Sequence, residues 1–480
     1  MSQFWDALKH WIPVITDDYV WGWGPEFLLN VPLMVILLLG TGVTLSVYTG
    51  FVQIRKFWPA AKLVLAGAIG RDTGSGKGDI TPYQALMTAL SATVGNGNIA
   101  GVASAIATGG PGAAFWMWIT AVFGMATKYA EAVLGVKYRQ VAKDGSMAGG
   151  PMYYCEHGIG GRLGRFLGLF FASTGALACL IGTGNMFQTN SMAVAAEQQF
   201  SIPQWLTGLV VSILVGMVIL GGIRRIAKVA EKLVPTMIVL YFVGAMTIIL
   251  INIVDVPAAI ALIVHSAFNP QAAMGGAVGI GVQQAIRFGV ARGILSNESG
   301  LGSAPIAHGA AKTDNPVKQG QVAMMGTFID TIVVCSLTAI VITVTGAYKM
   351  GPLFRPQGEA LNSIDMTTHA FNSAIPYGGV VVTIGSFLFG ISTLLGWCYY
   401  GEKCTEYLFG LRIQNAYRLV FIGLMFLGSL PSQEGIQTVV KIGDLGNALM
   451  AFPNLIALLL LAREVRRITR GKAGPAAPGG

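Results

Sequence analysis

The stretch TVGNGNIAG, residues 93–101, places three glycines and two asparagines inside an otherwise apolar segment. Gly95, Gly97 and Ala100 match the loose G-x-G-x-x-G/A pattern of a dinucleotide-binding turn. That turn requires a preceding β-strand and an acidic residue about 20 positions later. Neither is present, because helix-forming residues precede the glycines and the residues up to 121 include no Asp or Glu. The sequence therefore favours a helix that is interrupted here.

The composition is that of a membrane protein. Apolar residues make up 53% of the 480 residues and charged residues 11%, whereas an ordinary globular domain carries roughly 25% charged residues. The apolar segments that we predict as transmembrane helices are residues 27–48, 83–108, 113–136, 167–191, 205–221, 233–253, 271–291, 322–346, 378–400, 416–430 and 437–461. The sequence thus predicts an all-α polytopic protein in contact with membrane lipid.

The basic residues test this assignment, since Lys and Arg concentrate in cytoplasmic loops. Alternate connections and the C-terminal tail hold 25 of the 31 Lys and Arg residues, and the opposite connections hold three. We therefore predict a multi-pass protein of the inner cell membrane, with the N-terminus outside and the C-terminus in the cytoplasm. Because the formal charge of +9 follows this asymmetry, no nucleic-acid partner is predicted.

The ten helices after the leading one divide into five plus five. An odd number of helices per repeat places the second repeat upside down in the membrane, which is an inverted repeat. The predicted organisation is an N-terminal segment at 1–26, an additional transmembrane helix at 27–48, repeats at 83–253 and 271–461, and a basic tail at 462–480.

Glycine interrupts the first helix of each predicted repeat. The interruptions are VGNGN (94–98) and MGGAVGIG (274–281). A further weak similarity links GNGNIAGVASA (95–105) with SNESGLGSAPIA (296–307). We give it little weight, because the two stretches do not fall at matching positions of the predicted helices.

A helix that unwinds within the membrane exposes backbone N–H and C=O groups that hydrocarbon cannot satisfy. Beside a polar cavity, the start of the second half-helix offers N–H donors to a carboxylate, and the preceding carbonyls offer oxygen to a hard cation. The alternative is that the glycines only allow close helix packing. Because two asparagines accompany the paired glycines, we favour a site for a small zwitterion and Na+. Its predicted substrate-binding residues are Thr93, Gly95, Asn96, Gly97 and Asn98.

Two other segments are predicted to face this site. The carbonyls of Gly275, Gly276 and Gly279 are placed opposite it, where they can accept from a substrate ammonium group. Asn185 and Gln188 are expected one turn apart on a single helix face. The residues alone leave a cavity role and helix–helix bonding equally open for these two amides.

Charged residues inside the predicted spans need partners or a cavity. Lys128 and Glu131 are spaced i, i+3 and are predicted to pair with each other. Glu298 and Asp330 are placed near the cytoplasmic ends of their spans, where water reaches them.

Three stretches closely resemble the alanine or glycine:cation symporter family of bacteria and archaea. They are TALSATVGNGNIAGVASAIATGGPGAAFWMWITAVFGMATKYAEAVLGVKYR (88–139), MAGGPMYY (147–154) and SNESGLGSAPIAHGAAKTDNPVKQG (296–320). The likeness extends over about residues 27–470. It implies sodium-coupled uptake of alanine or glycine by a five-plus-five inverted-repeat core like that of the leucine transporter fold, with an added N-terminal helix. Thr is more usual in the family at the position of Asn96, which leaves serine and glutamine open as substrates.

The resemblance also implies roles for individual residues. Gln188 is expected to contact the substrate, and Trp397 to form an aromatic wall of its pocket. The hydroxyls of Ser392 and Thr393 resemble the cation site of this fold class. The predicted ligands of Na+ are Ser392, Thr393 and the carbonyls of Ala92 and Gly95. The alternatives are hydroxyls bonded to their own helix and, for Trp397, an aromatic residue at the membrane interface.

Other classes of function fit the sequence less well. A membrane haem enzyme needs paired histidines within its spans, whereas the five histidines fall in loops or near span ends. A channel would more naturally show a symmetric pore motif. We therefore predict a carrier that acts as a single chain, without enzyme activity or a cofactor. Na+ is favoured over H+ because residues 83–108 contain no Asp, Glu or His, and proton coupling through Asp330 is the alternative.

Overall fold

In a computed structural model the described part of the chain is predominantly helical. The structure describes residues 33–72, 74–182, 184–269, 282–356, 359–430 and 433–471. Before residue 270 the α-helices are α1 (Leu33–Thr49), α2 (Val52–Arg55), α3 (Phe57–Ala68), α4 (Pro82–Thr93), α5 (Val102–Gly109), α6 (Gly112–Lys137), α7 (Pro151–Tyr154), α8 (Gly161–Ile181), α9 (Met186–Phe200), α10 (Gln204–Ile219), α11 (Gly222–Ile251) and α12 (Val256–Phe268).

The later helices follow the same pattern of long spans and short connecting segments. They are α13 (Val282–Asn297), α14 (Ala304–Gly309), α15 (Pro316–Thr327), α16 (Ser336–Val344), α17 (Ser363–Ala374), α18 (Gly378–Phe409), α19 (Gln414–Gly428), α20 (Gln433–Leu460) and α21 (Ala462–Thr469). The π-helical segments are Gly97–Gly101, Cys155–Ile159 and Phe328–Cys335, and the 3-10 turns are Ala347–Met350 and Leu411–Ile413. A small antiparallel hairpin pairs β1 (Gln140–Val141) with β2 (Met147–Ala148).

Six helical stretches of the described residues are long and apolar enough to cross a membrane. They are Gly112–Lys137, Gly161–Phe200, Gly222–Ile251, Pro316–Val344, Gly378–Phe409 and Thr438–Leu460. Shorter apolar helices include α1 and α10. The protein is therefore a multi-pass membrane protein of the predicted all-α class, while the number of crossings and the repeat boundaries remain predictions.

The first predicted break is present. Helix α4 begins with a capping box, in which Gln84 N donates to Thr81 Oγ1 (3.1 Å) and Thr81 N donates to Gln84 Oε1 (3.0 Å). The helix ends at Thr93, and Val94 is extended, with φ −77° and ψ 92°. A helical path resumes at Gly97 as a π-helix and continues into α5. Residues 83–108 are thus two half-helices.

A second break lies where the sequence analysis did not place one. Helix α13 ends at Asn297, and α14 begins at Ala304 after an irregular segment, 298–303. Gly300 and Gly302 have φ of +94° and +83°, a region that favours glycine, and Glu298 also has a positive φ of 55°. This segment belongs to SNESGLGSAPIA, whose similarity to 95–105 we gave little weight. The predicted break at 274–281 falls outside the described residues.

The predicted span 167–191 is also interrupted. Helix α8 ends at Ile181 and α9 begins at Met186, with Gly182 in an extended conformation between them. Asn185 precedes α9 with φ −127° and ψ −86°. Asn185 and Gln188 therefore do not share the single helix face that their spacing predicts, because the helix containing Gln188 begins after Asn185.

The two broken helices lie side by side. Backbone bridges join Ser75 to Thr313 and Ile80 to Ala311, which connects the segment before α4 to the segment after α14. Helix α6 contacts α13, α14 and α15, and its Gly135 lies directly against Pro305 at the start of α14. Small residues at such contacts let helix backbones approach closely. Helix α6 therefore packs along the second break.

Polar contacts reinforce the end of the bundle at which these backbone bridges lie. Arg139 donates to the carbonyls of Ala311 (2.6 Å) and Thr313 (2.7 Å). Lys318 forms a 2.7 Å ion pair with Asp72. Burial alone would raise the pKa of Asp72, but hydrogen bonds from Lys318 and the Gly74 N–H outweigh it and hold this pKa below its ordinary value.

Candidate functional site

A cavity of about 660 Å³ lies beside the first break. Its lining combines small, polar and charged residues with one tryptophan. The lining residues are Ala92, Thr93, Gly95, Gly97, Ala100, Gly101, Ser104, Phe187, Gln188, Arg292, Leu295, Ser296, Glu298, Ala360, Asn362, Ser363, Asp365, Thr393, Trp397, Ile436, Val440, Lys441 and Asp444. Both broken helices therefore contribute to one space, which has the dimensions of a small-molecule site.

The unwound segment is held open by side chains. Gly95 N donates to Asn98 Oδ1 (2.9 Å), and Asn96 N donates to Gln188 Oε1 (3.3 Å). These bonds satisfy backbone donors that leave the helical pattern at the break. A Cβ at Gly97 or Gly101 would meet nothing within 4 Å. The second half-helix therefore begins against open space on the cavity side.

Helix α18 supplies hydroxyls to the same segment. Ser392 Oγ lies 3.3 Å from the carbonyl oxygen of Val94 and 2.8 Å from that of Phe389. Thr393 Oγ1 lies 2.9 Å from the Phe389 carbonyl oxygen. All four residues are buried. Both hydroxyls thus bond to a carbonyl of their own helix, which is the alternative stated for them, and Ser392 Oγ also donates to the unwound backbone.

Close packing fixes α18 against the break. A Cβ at Gly95 would collide with Thr393 Oγ1, and a Cβ at Gly396 would lie 2.6 Å from Ala92 Cβ. Trp397 is 3% exposed, and Gly184 lies flat against its ring, where a Cβ would overlap the indole. These contacts leave the tryptophan at the cavity wall and the hydroxyls against the unwound backbone.

Asp330 connects the two breaks. Its carboxylate accepts from Asn98 Nδ2 (2.7 Å), Ser296 Oγ (2.9 Å) and Thr331 Oγ1 (2.7 Å). The prediction that Asp330 lies near the end of its span is wrong, because it is fully buried near the middle of the continuous stretch Pro316–Val344. An aspartate in the middle of an apolar span is a signal of function, and Asp330 is the residue that the sequence offers for proton coupling.

Glu131 binds the second break rather than Lys128. Its Oε1 accepts from Gly300 N (3.1 Å), Gly302 N (3.0 Å) and Asn454 Nδ2 (2.7 Å). Within the described residues, the Lys128 ammonium has no hydrogen-bond partner. The predicted Lys128–Glu131 pair is therefore wrong, because freed backbone N–H groups of the break occupy the carboxylate.

The structure separates the predicted site residues into groups. The cavity is lined by Ala92, Thr93, Gly95, Gly97, Gln188, Thr393 and Trp397. Buried beside the break, outside the lining, are Asn96, Asn98 and Ser392. Outside the described residues are Gly275, Gly276 and Gly279.

Asn185 and Val94 differ most from expectation. The Asn185 amide donates to the carbonyls of Leu180 (2.9 Å) and Phe421 (3.2 Å), which is the helix-bonding alternative. The Val94 carbonyl, which meets Ser392, was not among the predicted cation ligands. A backbone carbonyl is available at every residue, so only the course of the unwound chain reveals which one faces a hydroxyl.

This architecture is the leucine transporter fold, which many secondary transporters share. The structure of MhsT in complex with L-phenylalanine superposes with a TM-score of 0.56 at 13% identity, covering 83% of this chain and 100% of that one. A manganese transporter of Eremococcus coleocola gives a TM-score of 0.52 at 14% identity, over 81% of this chain and 82% of that one. Two interrupted helices beside a shared cavity are the usual site architecture of such carriers.

The sequence comparisons identify the family. The model of the sodium:alanine symporter family matches residues 18–471, and this chain belongs to that family. The sodium/alanine symporter AgcS of Methanococcus maripaludis is 47% identical over 450 residues, 94% of each chain. An uncharacterized transporter of Haemophilus influenzae is 48% identical over 95% of this chain and 94% of that protein. A probable sodium/glutamine symporter of Bacillus subtilis, GlnT, is 36% identical over 95% of this chain and 89% of that protein.

Proposed function

We propose that this protein carries a small neutral amino acid, alanine or glycine, into the cell together with Na+ by alternating access. The observation that carries the proposal is the unwound segment at Val94–Asn96, which meets a polar cavity on one side and the hydroxyls of α18 on the other. The similarity to AgcS supports alanine as the substrate.

The substrate carboxylate is assigned to the start of the second half-helix. Helix N-termini attract anions through free N–H groups and the helix dipole. Thr93, Gly95 and Gly97 line the cavity at this point, and Gln188 and Trp397 line the same cavity. Because Asn96 is fully buried outside the lining, we assign its influence on the substrate to the shape of the break rather than to contact.

The cation is assigned to the place where α18 meets the break, beginning with the oxygens of Ser392 and Val94. Hard cations of this size take oxygen ligands at about 2.3–2.6 Å, so two ligands at right angles lie about 3.3–3.7 Å apart. The 3.3 Å between Ser392 Oγ and the Val94 carbonyl oxygen fits that spacing. Thr393 and the carbonyls of Ala92 and Gly95 complete the proposed shell. Na+ and substrate would then order the same unwound segment, which couples their binding.

The proposed orientation places the C-terminus in the cytoplasm. The ion pair between Lys137 and Glu464 (2.9 Å) joins the end of α6 to the basic helix α21, so two segments assigned to the cytoplasmic side meet. Four residues assigned to the outer side also line the cavity: Ala360, Asn362, Ser363 and Asp365. This supports a cavity that is reached from outside. We propose the inner membrane of the cell as its location and a single chain as the functional unit.

Proton coupling is the second candidate, and Asp330 is the observation that favours it. This buried carboxylate is bonded to Asn98 at the break, so gaining or losing a proton there would alter the site. A putative sodium/proton-dependent alanine carrier of Bacillus subtilis, YrbD, is 36% identical to this chain.

Uptake of labelled amino acids into proteoliposomes tests both candidates. We expect alanine or glycine to accumulate when a Na+ gradient is the sole driving force and the pH is equal on both sides. Accumulation driven by a pH gradient without Na+ would replace Na+ coupling by proton coupling. Equilibration without accumulation under every gradient would contradict symport altogether.

A further inference from the structure

One face of α6 lies along the second break. At 100° per residue, Gly124, Lys128, Glu131 and Gly135 fall within one narrow sector of the helix. Gly124 lies against the Ser299 hydroxyl, with 2.9 Å from an added Cβ to Oγ, and Gly135 lies against Pro305. Glu131 accepts from the backbone of the break between these contacts. The Lys128 side chain is therefore directed at the break as well.

Lys128 is a buried ammonium group without a hydrogen-bond partner among the residues that the structure describes. Its side chain is 2% exposed, and it lies within the membrane-spanning helix α6. The second carboxylate oxygen of Glu131, Oε2, is likewise buried and without a partner in that part of the chain. A buried charge in a membrane is costly unless another charge offsets it.

Three buried carboxylates lie on or beside the second break, which this face of α6 meets. Glu131 and Asp330 are 0% exposed and Glu298 is 1% exposed. Lys128 and Glu131 share the face of α6 that packs on this break. Of these carboxylates, Glu298 lines the cavity and Asp330 joins the two breaks. The ammonium group thus offsets negative charge at the second break. At the first break, the proposed Na+ supplies the positive charge that the carbonyl oxygens bind.

We propose that Lys128 is a fixed cation of the transport site. Its ammonium group lies beside the second break, where it takes the place of a second Na+. The protein therefore binds one Na+ per chain. This inference rests on the proposed Na+ coupling and extends it to the number of ions. Lys128 acts through Glu131, Glu298 and Asp330, and is therefore a positioning residue rather than a substrate contact.

Equilibrium binding of radioactive 22Na+ to the purified full-length protein tests the proposal without requiring transport. We expect one Na+ per wild-type chain and one in Lys128→Arg, which keeps the charge. In Lys128→Met, which keeps an unbranched chain of similar length, the uncompensated carboxylates should admit a second ion. We expect two Na+ per chain there, with a Hill coefficient that rises from about 1 towards about 2 when the two ions bind cooperatively.

The transport readout is the Na+ concentration for half-maximal uptake. In Lys128→Met one partner of a buried charge cluster is removed, so this Na+ concentration should rise at least about thirtyfold. In Lys128→Arg it should stay within a few-fold of the wild-type value. A merely structural role would lower the amount of folded protein without changing the number of ions bound. Should Lys128→Met not fold, Lys128→Met/Glu298→Gln removes one charge of each sign and is expected to bind one Na+.

Two results would overturn the proposal. One is a wild-type protein that binds two Na+ with Lys128 intact, and the other is a folded Lys128→Met that binds one Na+ with unchanged affinity. A wild-type protein that binds no Na+ would instead contradict the proposed Na+ coupling, so the two failures are distinguishable.

Discussion

Replacing Gly95 by alanine tests whether the unwound segment and α18 form a cation site. Gly95 has no positive φ, so its backbone conformation is open to alanine. The added methyl group would lie much closer than 3.0 Å to Thr393 Oγ1, a separation that Cβ atoms in proteins essentially never show. It would lie 3.6 Å from Gln188 Oε1. The perturbation therefore acts mainly on the Thr393 hydroxyl.

The magnitude follows from this contact. To regain van der Waals contact, the hydroxyl or the segment must move by roughly 1 Å. Inserting a methyl group into a well-packed site costs about 1–3 kcal/mol. If that cost falls on the ion-bound state, the Na+ concentration for half-maximal uptake rises about 5- to 150-fold.

The assay is Na+-dependent uptake of labelled alanine into proteoliposomes, with Na+ varied at constant ionic strength. Gly423→Ala is the matched control, because a Cβ on that α19 glycine meets nothing within 4 Å. We expect it to match wild type. Thr393→Ala and the double variant Gly95→Ala/Thr393→Ala show whether the effect passes through the hydroxyl. In that case the double variant should be no worse than Thr393→Ala.

Unchanged Na+ dependence in Gly95→Ala would refute the reasoning, since it would mean that the methyl group and the hydroxyl do not compete for space. A double variant that is impaired by the full product of the two single effects would show that Gly95 acts by a route independent of Thr393.

Three further predictions follow from the contacts described above. Ser392→Ala should raise the Na+ concentration for half-maximal uptake about tenfold or more by removing a charge-stabilising oxygen, whereas Ser386→Ala, a buried hydroxyl on the same helix, should not. Glu131→Ala leaves the donors of Gly300 and Gly302 without their acceptor and should lower the thermal midpoint in detergent by at least about 2 °C, whereas the Glu197→Ala control should leave it unchanged. The pKa of Asp72 is lowered in the folded state. Its ionised carboxylate therefore stabilises the fold at pH values above the ordinary pKa of aspartate, and this stabilisation is lost as the pH falls through the lowered pKa. Asp72→Asn should therefore flatten the acid side of a stability-against-pH curve, and an unchanged curve would contradict this.

The sequence by itself determined the class of the protein and the first half of the site. Long apolar segments indicate membrane helices, because a bilayer admits few alternatives for the backbone. Glycine and asparagine at 95–98 predict an unwound segment, because these residues readily leave helical geometry. That segment lies beside the cavity, with Gln188, Thr393 and Trp397 around it.

The tertiary structure decided the second break and its partners. Glycines occur both at 274–281 and at 298–303, and the sequence pattern favours a break at the earlier stretch. The positive φ angles of Gly300 and Gly302, held by Glu131 from another helix, assign a break to the later stretch. The sequence spacing paired Glu131 with Lys128 because local rules describe neighbours on one helix.

The same limit explains Asp330 and Val94. An aspartate reveals its role through Asn98 and Ser296, which lie 232 and 34 positions away in the chain. The carbonyl of Val94 becomes a candidate cation ligand through Ser392, 298 positions away. Sequence patterns report how one segment prefers to fold, whereas a binding site in this protein is formed by groups from several helices that meet only when those helices pack.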